Sequence, residues 1–434
     1  MNILKEVLRN EVRPALGCTE PIAVAYACSL AMAAIKNKHP QDSHEILEIT
    51  VIVDPGVLKN GLGVCIPNTN GQKGNCIAAA LGAICGDSAL QLRVLEKVAP
   101  DDLVKAEKMV REGKAHVLCE AHDSLYIKAT VKTSTGNASA IIRDSHTNVV
   151  AILVDGVVID GSVEEDCATV VNKVAPYRQN MSTMRIADLI DCAQGLDEDD
   201  YQYLLRGVEM NLVLSRAGLQ LGKFGSQLAA MAAQANLENE LFKSTQILVS
   251  CATDARMAGV NLPAMSSGGS GNQGIVAILV PYNVGTKEGI PERRIVESIA
   301  LSHLLNSYVK QYTGEIAPIC GCAIAAGLGA AGAIAYQLSP RAETVGLAIN
   351  NVVGDITGML CDGAKGGCTL KVLSSTDSAI RAAYFAINGF FISSSDGIIS
   401  EAPEETIRNL GRLCALGLDH LNGTVLDIMI NKKS

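Results

Sequence analysis

The sequence predicts an α+β protein, in which a mostly helical domain carries an inserted α/β module. From about Met181 onward, apolar residues recur three and four positions apart, which is typical of amphipathic helices. Between about His44 and Val174, stretches rich in Val, Ile and Thr alternate with Gly, Asn and Asp, which is typical of strands and turns. Small and apolar side chains fill residues 1–37, which favours closely packed helices.

These patterns divide the chain into three segments. Residues 1–40 are predicted to form N-terminal helices that belong to the helical domain, with Pro21 in a first turn, where proline is tolerated. Residues 41–178 are predicted to form the α+β module. Residues 179–434 are predicted to form the helical domain that carries the chemistry, and Gly-rich stretches separate its helices.

Composition and charge limit the class of protein. Of the 434 residues, 48% are hydrophobic and 19% are charged, which excludes a disordered chain. The net charge of -9 and the lack of a basic run exclude nucleic acid as an expected partner. Lys5, Glu6 and Arg9 stand where a signal peptide needs an apolar run, so we expect a cytoplasmic protein.

Residues 316–340 form an uncharged stretch that is long enough to span a bilayer. Ala and Gly dominate this stretch, Pro318 and Pro340 stand near its two ends, and no Trp or Lys/Arg asymmetry flanks it. We therefore predict a buried, closely packed helix and no association with a membrane.

The chain has 14 cysteines, and a reducing compartment is expected to leave them as thiols. Cys18 lies in Gly17–Pro21, where a thiol, a hydroxyl and a carboxylate follow one another at the start of a predicted helix. Free backbone N–H groups at such a start favour an anion or a thiolate. The alternative is an ordinary cap, with Thr19 at the N-cap and Cys18 buried.

Two pairs of cysteines lie far along the chain, Cys320 with Cys322 and Cys361 with Cys368. The glycines between Cys361 and Cys368 permit turns that bring two sulfurs onto one metal. Neither pair has the usual zinc or ferredoxin spacing. From these residues alone, metal ligands and buried packing thiols both remain open. The other cysteines are expected to pack: Cys28, Cys65, Cys76, Cys85, Cys119, Cys167, Cys192, Cys251 and Cys414.

Two polar loops could hold a small carboxylate through hydroxyls, amides and backbone N–H groups. The first, residues 266–274, fits neither the Walker nor the Rossmann template, and the alternative is a flexible linker. The second, residues 67–74, has a solvated turn as its alternative. The seven histidines lie singly, and solvated or satisfied side chains are expected for them. The candidate residues of the two loops are Ser266, Ser267, Asn272, Asn70 and Lys73.

At these residues the chain resembles the L-cysteine desulfidase family, which is related to the iron-sulfur L-serine dehydratases. The resemblance lies in ALGCTEPIAVAYA, VDPGVLKNG, IPNTNGQKG, SSGGSGNQGIVAI, PICGCAIAAGLGAAGAIAY and CDGAKGGC, in this order along nearly the whole chain. It implies a 4Fe-4S cluster on three thiolates, with one iron open to substrate. Cys361 and Cys368 match two ligands, and the third is Cys320 or Cys322; we favour Cys320, which is nearer the helix start. Cys18 matches the position proposed for the catalytic base.

The resemblance implies β-elimination of L-cysteine to hydrogen sulfide, ammonia and pyruvate, without pyridoxal phosphate. The alternatives are an L-serine dehydratase on the same scaffold and a non-catalytic metal-binding protein. The expected partners are a small-molecule amino-acid substrate and a second copy of the chain in a homodimer. For the substrate carboxylate, loop chemistry and the family pattern point to Thr19 with Ser266, Ser267 and Asn272, and to Asn70 or Lys73 as a second clamp.

Overall fold

A computed structural model describes residues 2–122, 124–162 and 175–432. It confirms the predicted class, because helices dominate around a mixed sheet and a small second sheet. The helices in this part of the chain are α1 (Ile3–Glu11), α2 (Thr19–Lys38), α3 (Pro55–Leu62), α4 (Asn75–Cys85), α5 (Pro100–Arg111), α6 (Pro176–Ser182), α7 (Ile186–Gln194), α8 (Glu198–Gly218), α9 (Phe224–Gln234), α10 (Leu241–Met257), α11 (Gly271–Lys287), α12 (Glu292–Thr313), α13 (Ala325–Leu338), α14 (Ala342–Ile356), α15 (Cys368–Ile387), α16 (Pro403–Arg412) and α17 (Leu421–Ile430), with a 3₁₀ turn at Ser88–Arg93 and a π turn at Leu413–Gly417. The strands are β1 (Pro14–Ala15), β2 (Ile46–Val53), β3 (Ala115–Cys119), β4 (Tyr126–Thr133), β5 (Gly136–Arg143), β6 (Val149–Val154), β7 (Val157–Gly161) and β8 (Ala264–Met265).

The mixed sheet has the strand order β3-β2-β4-β5-β6-β7. β2 pairs in parallel with β3, and the other neighbouring strands pair antiparallel. In β4, Ile127, Ala129 and Val131 are fully buried and alternate with more exposed residues, as in a sheet with one face on a core. α2 and α4 contribute to that core.

The N-terminal helices are divided between the two domains. The sequence assigns residues 1–40 to the helical domain, and α1 does pack there through Leu4 and Val7. α2 instead packs against the sheet, with Ile22 and Ile35 in its core. Because α2 is apolar around most of its circumference, it needs cover on several sides, and the sheet and α4 supply that cover.

The boundary predicted at residue 178 lies inside α6. Tyr177 and Met181 of α6 pack in the core of the helical domain, so this domain has already begun there. The last described strand of the module, β7, ends at Gly161. The rest of the predicted module, residues 163–174, lies outside the described residues.

α13 is the central helix of the helical domain. Every residue from Ala325 to Gln337 is buried, and α11, α12, α14 and α15 pack around the helix. Its Ala and Gly side chains are small, which lets these neighbours approach closely. Over the described ranges, no single helix is long and apolar enough to cross a membrane. α16 with its π turn and α17 are long and apolar enough only when they are taken together, and the two segments are bent by 56° relative to each other.

Short backbone links bring the polar stretches of the sequence together. β1 and β8 pair antiparallel, so the segment before α2 runs beside the segment before α11. Ile319 and Leu360 form an isolated antiparallel bridge, so the segments before α13 and α15 also run side by side. The starts of four helices are therefore positioned around one region.

Candidate active site

A cavity of about 80 Å³ lies among the first residues of α2, α11 and α15 and the loop before α13. We call it the inner cavity. Polar and sulfur-bearing side chains that were predicted from the sequence line it, namely Cys18, Asn272, Cys320, Cys322, Cys361 and Cys368. The structure thus brings together stretches that lie more than 300 residues apart in the chain.

Cys18 is the N-cap residue of α2, and its side chain makes no cap hydrogen bond. Its buried thiol donates to Glu20 Oε2 at 2.8 Å. Burial and the Glu20 charge raise the pKa of Cys18 above its ordinary value, against an opposing effect of Arg256. The sequence-based expectation was a thiolate activated by the helix start. The structure differs, because burial and the nearby Glu20 charge outweigh the effect of the helix dipole on the pKa of Cys18.

Glu20 is the acceptor at the centre of a small polar group. Its Oε1 accepts from Asn60 Nδ2 at 2.8 Å, and its Oε2 accepts from the Thr19 hydroxyl at 3.3 Å as well as from Cys18. His146 Nε2 lies 3.8 Å from Oε1. Burial raises the pKa of Glu20, but His146, Cys18 and Asn60 outweigh it and hold that pKa well below its usual range. Glu20 is therefore ionised.

Glu20 and His146 were missed as site residues. Glu20 stands two positions after Cys18, and this spacing was the available signal. His146 is 4% exposed, and neither ring nitrogen has a hydrogen-bond partner. A single histidine in a turn between strands carries no local signal, because its role depends on residues that are distant in the chain.

The loops that carry Cys320 and Cys361 are joined by backbone hydrogen bonds. Cys320 N donates to Met359 O at 2.8 Å, and Cys361 N donates to Pro318 O at 2.8 Å. The neighbouring Cys322 thiol lowers the pKa of Cys320, burial opposes this effect, and Lys371 lowers the pKa further. Both Cys320 and Cys322 line the inner cavity, so placement alone leaves the choice between them open.

Cys368 is the first residue of α15. Burial, together with Cys320, raises the pKa of Cys368 to about 11. Its side chain packs against a small apolar cluster that includes Cys18, Val64 and Met257. Cys368 therefore links the predicted ligand stretch to the predicted catalytic thiol.

Two lysines support the Cys361 loop, one fully buried and one partly exposed. Lys59 of α3 is fully buried, and its Nζ donates to Cys361 O at 3.1 Å and to Asn422 Oδ1 at 2.7 Å. Lys371 of α15 donates to Leu360 O at 2.6 Å and to Asp362. The sequence motif VDPGVLKNG thus contributes a positioning lysine that sequence reasoning overlooked.

The donor set at the inner cavity fits an iron-sulfur cluster in its chemistry. Thiolate sulfur is the ligand that such clusters use, with a separate thiolate on each bound iron. Five thiols line this cavity, four of them in the two predicted ligand stretches, and the cationic Lys371 interacts with Cys320 and Cys361. Among the residues that the structure describes, no three His, Cys, Asp or Glu side chains are arranged to hold one metal ion.

Ser266, Ser267 and Thr19 support the site without lining the inner cavity. Ser266 Oγ accepts from Arg13 N and donates to Glu11 O, both at 2.9 Å, which ties the end of α1 to β8. Ser267 Oγ accepts from Asn306 Nδ2 at 2.9 Å and contacts His303 Nδ1 at 2.8 Å. Their hydroxyls are used within the protein, so of the predicted carboxylate ligands in this loop only Asn272 faces the inner cavity.

Asn70 and Lys73 lie on an exposed turn, away from the residues that line either cavity. Asn70 has φ 52° at the tip of this turn, and Lys73 pairs through its backbone with Cys65. Asn68 Nδ2 anchors the turn to Leu95 O at 2.9 Å. The turn is therefore held toward solvent, and its predicted role as a second carboxylate clamp is not supported by this placement.

The remaining cysteines have varied surroundings. Cys28, Cys251 and Cys414 are buried, as expected for packing thiols, whereas Cys119 is exposed. Cys167 lies outside the described residues.

A larger cavity of about 1040 Å³ adjoins the inner cavity, and residues of both domains line it. We call it the outer cavity. His146, Lys310 and Glu315 line both cavities, so the two cavities share a wall.

A chain of largely buried ion pairs lies at this shared wall. Arg178 Nη2 lies 2.8 Å from Glu11 Oε1 and 2.5 Å from Glu315 Oε1, and Lys310 Nζ lies 2.6 Å from Glu315 Oε2. Burial raises the pKa of Glu315, but Lys310 and Arg178 outweigh it and lower that pKa to about 2. Glu315 precedes the Cys320 loop, so this network fixes the position at which the loop begins.

The sequence of the chain is similar to those of known proteins over its whole length. The family model for the serine dehydratase alpha chain matches residues 89–427. A UPF0597 protein of Geobacter sulfurreducens is 48% identical over 100% of this chain and 99% of its own length. UPF0597 proteins of Elusimicrobium minutum and Desulfotalea psychrophila are 43% and 36% identical, and cover 100% and 98% of this chain and 100% and 98% of their own lengths.

The matched family defines the class of protein, a lyase of the serine dehydratase type. The chain belongs to the serine dehydratase alpha chain family. The expected relation to the serine dehydratases is therefore confirmed. The narrower resemblance to the L-cysteine desulfidases stays a prediction.

Proposed function

We propose that the protein is an iron-sulfur-dependent lyase that cleaves L-cysteine by β-elimination to hydrogen sulfide, ammonia and pyruvate. Family membership supports the lyase class, and the sequence resemblance supports a sulfur-containing substrate. One observation carries the proposal: the inner cavity joins the thiols of two separate loops to the buried Cys18–Glu20 pair. An elimination needs a base and an acceptor for the leaving group in one place.

Cys361 and Cys368, with Cys320 as the third ligand, would hold a 4Fe-4S cluster, and Cys322 is the alternative third ligand. When bound, the cluster supplies an open iron that acts as a Lewis acid toward the leaving sulfur. Lys371 offsets negative charge at Cys320 and Cys361. Lys59 holds the Cys361 carbonyl, which keeps the loop in place.

We assign to Cys18 the removal of the proton on the substrate α-carbon. The thiolate form of Cys18, which is the minor form because burial and the Glu20 charge raise its pKa, removes the α-proton and becomes the thiol that donates to Glu20. The electron pair of the broken C–H bond forms the double bond of aminoacrylate as the C–S bond breaks. Cys18 then gives this proton to the departing sulfide, which restores the thiolate, and Glu20 keeps the Cys18 side chain in place through their hydrogen bond. Aminoacrylate tautomerises and is hydrolysed by water to pyruvate and ammonia.

The inner cavity lies among buried side chains. Cys18 and Asn272 are both buried, so bulk water is kept away from the reacting atoms and charged interactions there are strengthened.

The experiment compares two cysteines of the N-terminal region in protein purified without air. Cys18→Ala is expected to lower kcat with L-cysteine at least 100-fold while the cluster absorbance is kept, because the base is lost and the predicted ligands are unchanged. Cys28→Ala is the matched control: Cys28 is buried on the same helix and does not line the inner cavity, so wild-type kcat is expected. Full turnover by Cys18→Ala would remove Cys18 from the mechanism.

L-Serine is the second candidate substrate, and the name of the matched family favours it. The same groups would expel water in place of sulfide. The kcat/KM values for pyruvate formation from L-cysteine and L-serine, measured in parallel under anaerobic conditions, separate the two. A larger value for L-serine would replace the proposed substrate and leave the lyase assignment intact.

A further inference from the structure

Arg256 is a buried cation that has no recorded ion pair with a carboxylate of the described residues. It lies in the last turn of α10 and is 2% exposed. Its Nη1 donates to Asn272 Oδ1 at 3.0 Å, whereas Nε and Nη2 have no hydrogen-bond partner. A guanidinium stays protonated in proteins, and burying one without an anion costs several kcal/mol. This arrangement therefore favours binding of an anion.

The other charged residues that line the inner cavity already have partners among the described residues. Glu20 is bonded to Cys18 and Asn60, and Glu315 is paired with Lys310 and Arg178. Lys371 is paired with Asp362. Within the part of the chain that the structure describes, no carboxylate is recorded in an ion pair with Arg256. A bound molecule with an anionic group would supply the missing partner.

The N-terminus of α11 faces the same place. α11 has 17 residues, and the preceding residue, Ser270, makes no side-chain cap hydrogen bond. The first backbone bond of the helix is from Gly274 N to Ser270 O at 3.0 Å, so the N–H groups of the first turn have no partner within the helix. Such N–H groups and the positive end of the helix dipole attract anions.

Arg256 and this helix start are fitted to each other. A Cβ atom at Gly271, the first residue of α11, would lie 2.2 Å from Arg256 Nε. Only glycine therefore lets the guanidinium approach the first turn so closely. Arg256, Asn272 and Gln273 line the inner cavity together with the five thiols, so the anion would be held beside the predicted cluster ligands.

We propose that Arg256 and the first turn of α11 bind the α-carboxylate of the amino-acid substrate. The proposal rests on the proposed function for the class of substrate, and it replaces the carboxylate ligands expected from the sequence. Two unpaired N–H groups of one guanidinium match the two oxygens of a carboxylate. Asn272 accepts a third N–H group of Arg256 and orients the guanidinium.

The test measures binding without turnover. L-Alanine carries the amino and carboxylate groups but no leaving group, and L-alaninamide lacks the anionic carboxylate. Calorimetry on the anaerobically purified full chain is expected to show a Kd for L-alanine at least 10-fold lower than that for L-alaninamide. Arg256→Gln is expected to raise the Kd of L-alanine at least 10-fold and to reduce the preference below threefold. Arg256→Lys keeps the charge but lacks the forked guanidinium. Its Kd for L-alanine is expected to lie between those of the wild type and Arg256→Gln.

Arg216→Gln is the matched control, because Arg216 pairs with Glu209 on the surface and does not line either cavity. Its preference for L-alanine is expected to equal that of the wild type. The ratio of the two Kd values is taken within each variant, so a partly unfolded preparation does not distort it. Equal binding or no binding of both probes by the wild type, or an undiminished preference in Arg256→Gln, would overturn the inference.

Turnover separates this inference from the proposed function. Failure to form pyruvate from L-cysteine and L-serine, with the L-alanine preference intact, would remove the lyase proposal and keep the carboxylate site. Pyruvate formation by Arg256→Gln with an unchanged KM would remove the carboxylate site and keep the lyase proposal. The supporting result is a KM raised at least 10-fold with a smaller change in kcat.

Discussion

The buried ion-pair network around Glu315 allows a quantitative prediction. Glu315→Gln keeps the size of the side chain and removes its charge, which leaves Lys310 (3% exposed side chain) without a carboxylate partner among the described residues. A pKa lowered from 4.5 to about 2 corresponds to about 3 kcal/mol of stability. Removal of one partner from a buried ion pair generally costs about 3 to 5 kcal/mol of stability, which agrees with the value from the pKa. We therefore expect a loss of about 3 kcal/mol in the free energy of unfolding.

The assay is urea unfolding at pH 7, followed by far-UV circular dichroism. The matched control is Glu209→Gln, because Glu209 lies 2.6 Å from Arg216 with both side chains 63% exposed. Exposed pairs contribute only about 0 to 1 kcal/mol, so the control is expected to unfold close to the wild type. Similar midpoints for the two variants, both near the wild type, would refute the argument from burial.

The pH dependence has a defined sign. Because folding lowers the pKa of Glu315, its contribution is complete above the unfolded pKa near 4.5 and is lost as the pH falls toward 2. The difference between wild type and Glu315→Gln is therefore expected to shrink by about 1 kcal/mol between pH 7 and pH 4. A difference that grows on acidification would contradict the assignment.

Three further variants test the Cys361 loop and the choice of ligand. Lys59→Gln is expected to lower the iron content per chain at least twofold, whereas Lys38→Gln, on the surface, should leave it unchanged. Gly363→Ala forces an L side chain to φ 89° with Cβ 2.8 Å from Lys59 O, and is expected to cost about 1 to 2 kcal/mol in urea unfolding; an unchanged midpoint would show that the loop relaxes. Cys320→Ala is expected to lose the cluster absorbance and Cys322→Ala to keep it, and the opposite pattern would move the third ligand to Cys322.

Local signals in the sequence could predict much of the fold and part of the site. The uncharged Ala- and Gly-rich stretch predicted a buried helix, and α13 is buried along nearly its whole length. The Gly17–Pro21 stretch indicated a helix start, and α2 begins at Thr19 with Cys18 before it. The Gly-containing cysteine stretches do meet at one cavity. These features depend on residue type and spacing within short segments, which a sequence displays directly.

Other parts of the site depend on contacts between distant segments. Arg256 stands near the end of a helix, where a basic residue usually faces solvent and offsets the helix dipole, so its burial is not visible locally. Asn70 and Lys73 have the composition of a binding loop, but the anchor from Asn68 to Leu95 turns that loop toward solvent. His146 reaches Glu20 across more than 120 residues. Tertiary packing decides these placements.

The iron and acid-labile sulfide content of anaerobically purified protein tests the central claim most directly. Wild-type protein is expected to be brown, to contain about four irons and four sulfides per chain, and to release sulfide and pyruvate from L-cysteine. Cys361→Ser should lose the iron and the activity together. A colourless wild-type protein that holds zinc, and neither iron nor labile sulfide, would contradict the account.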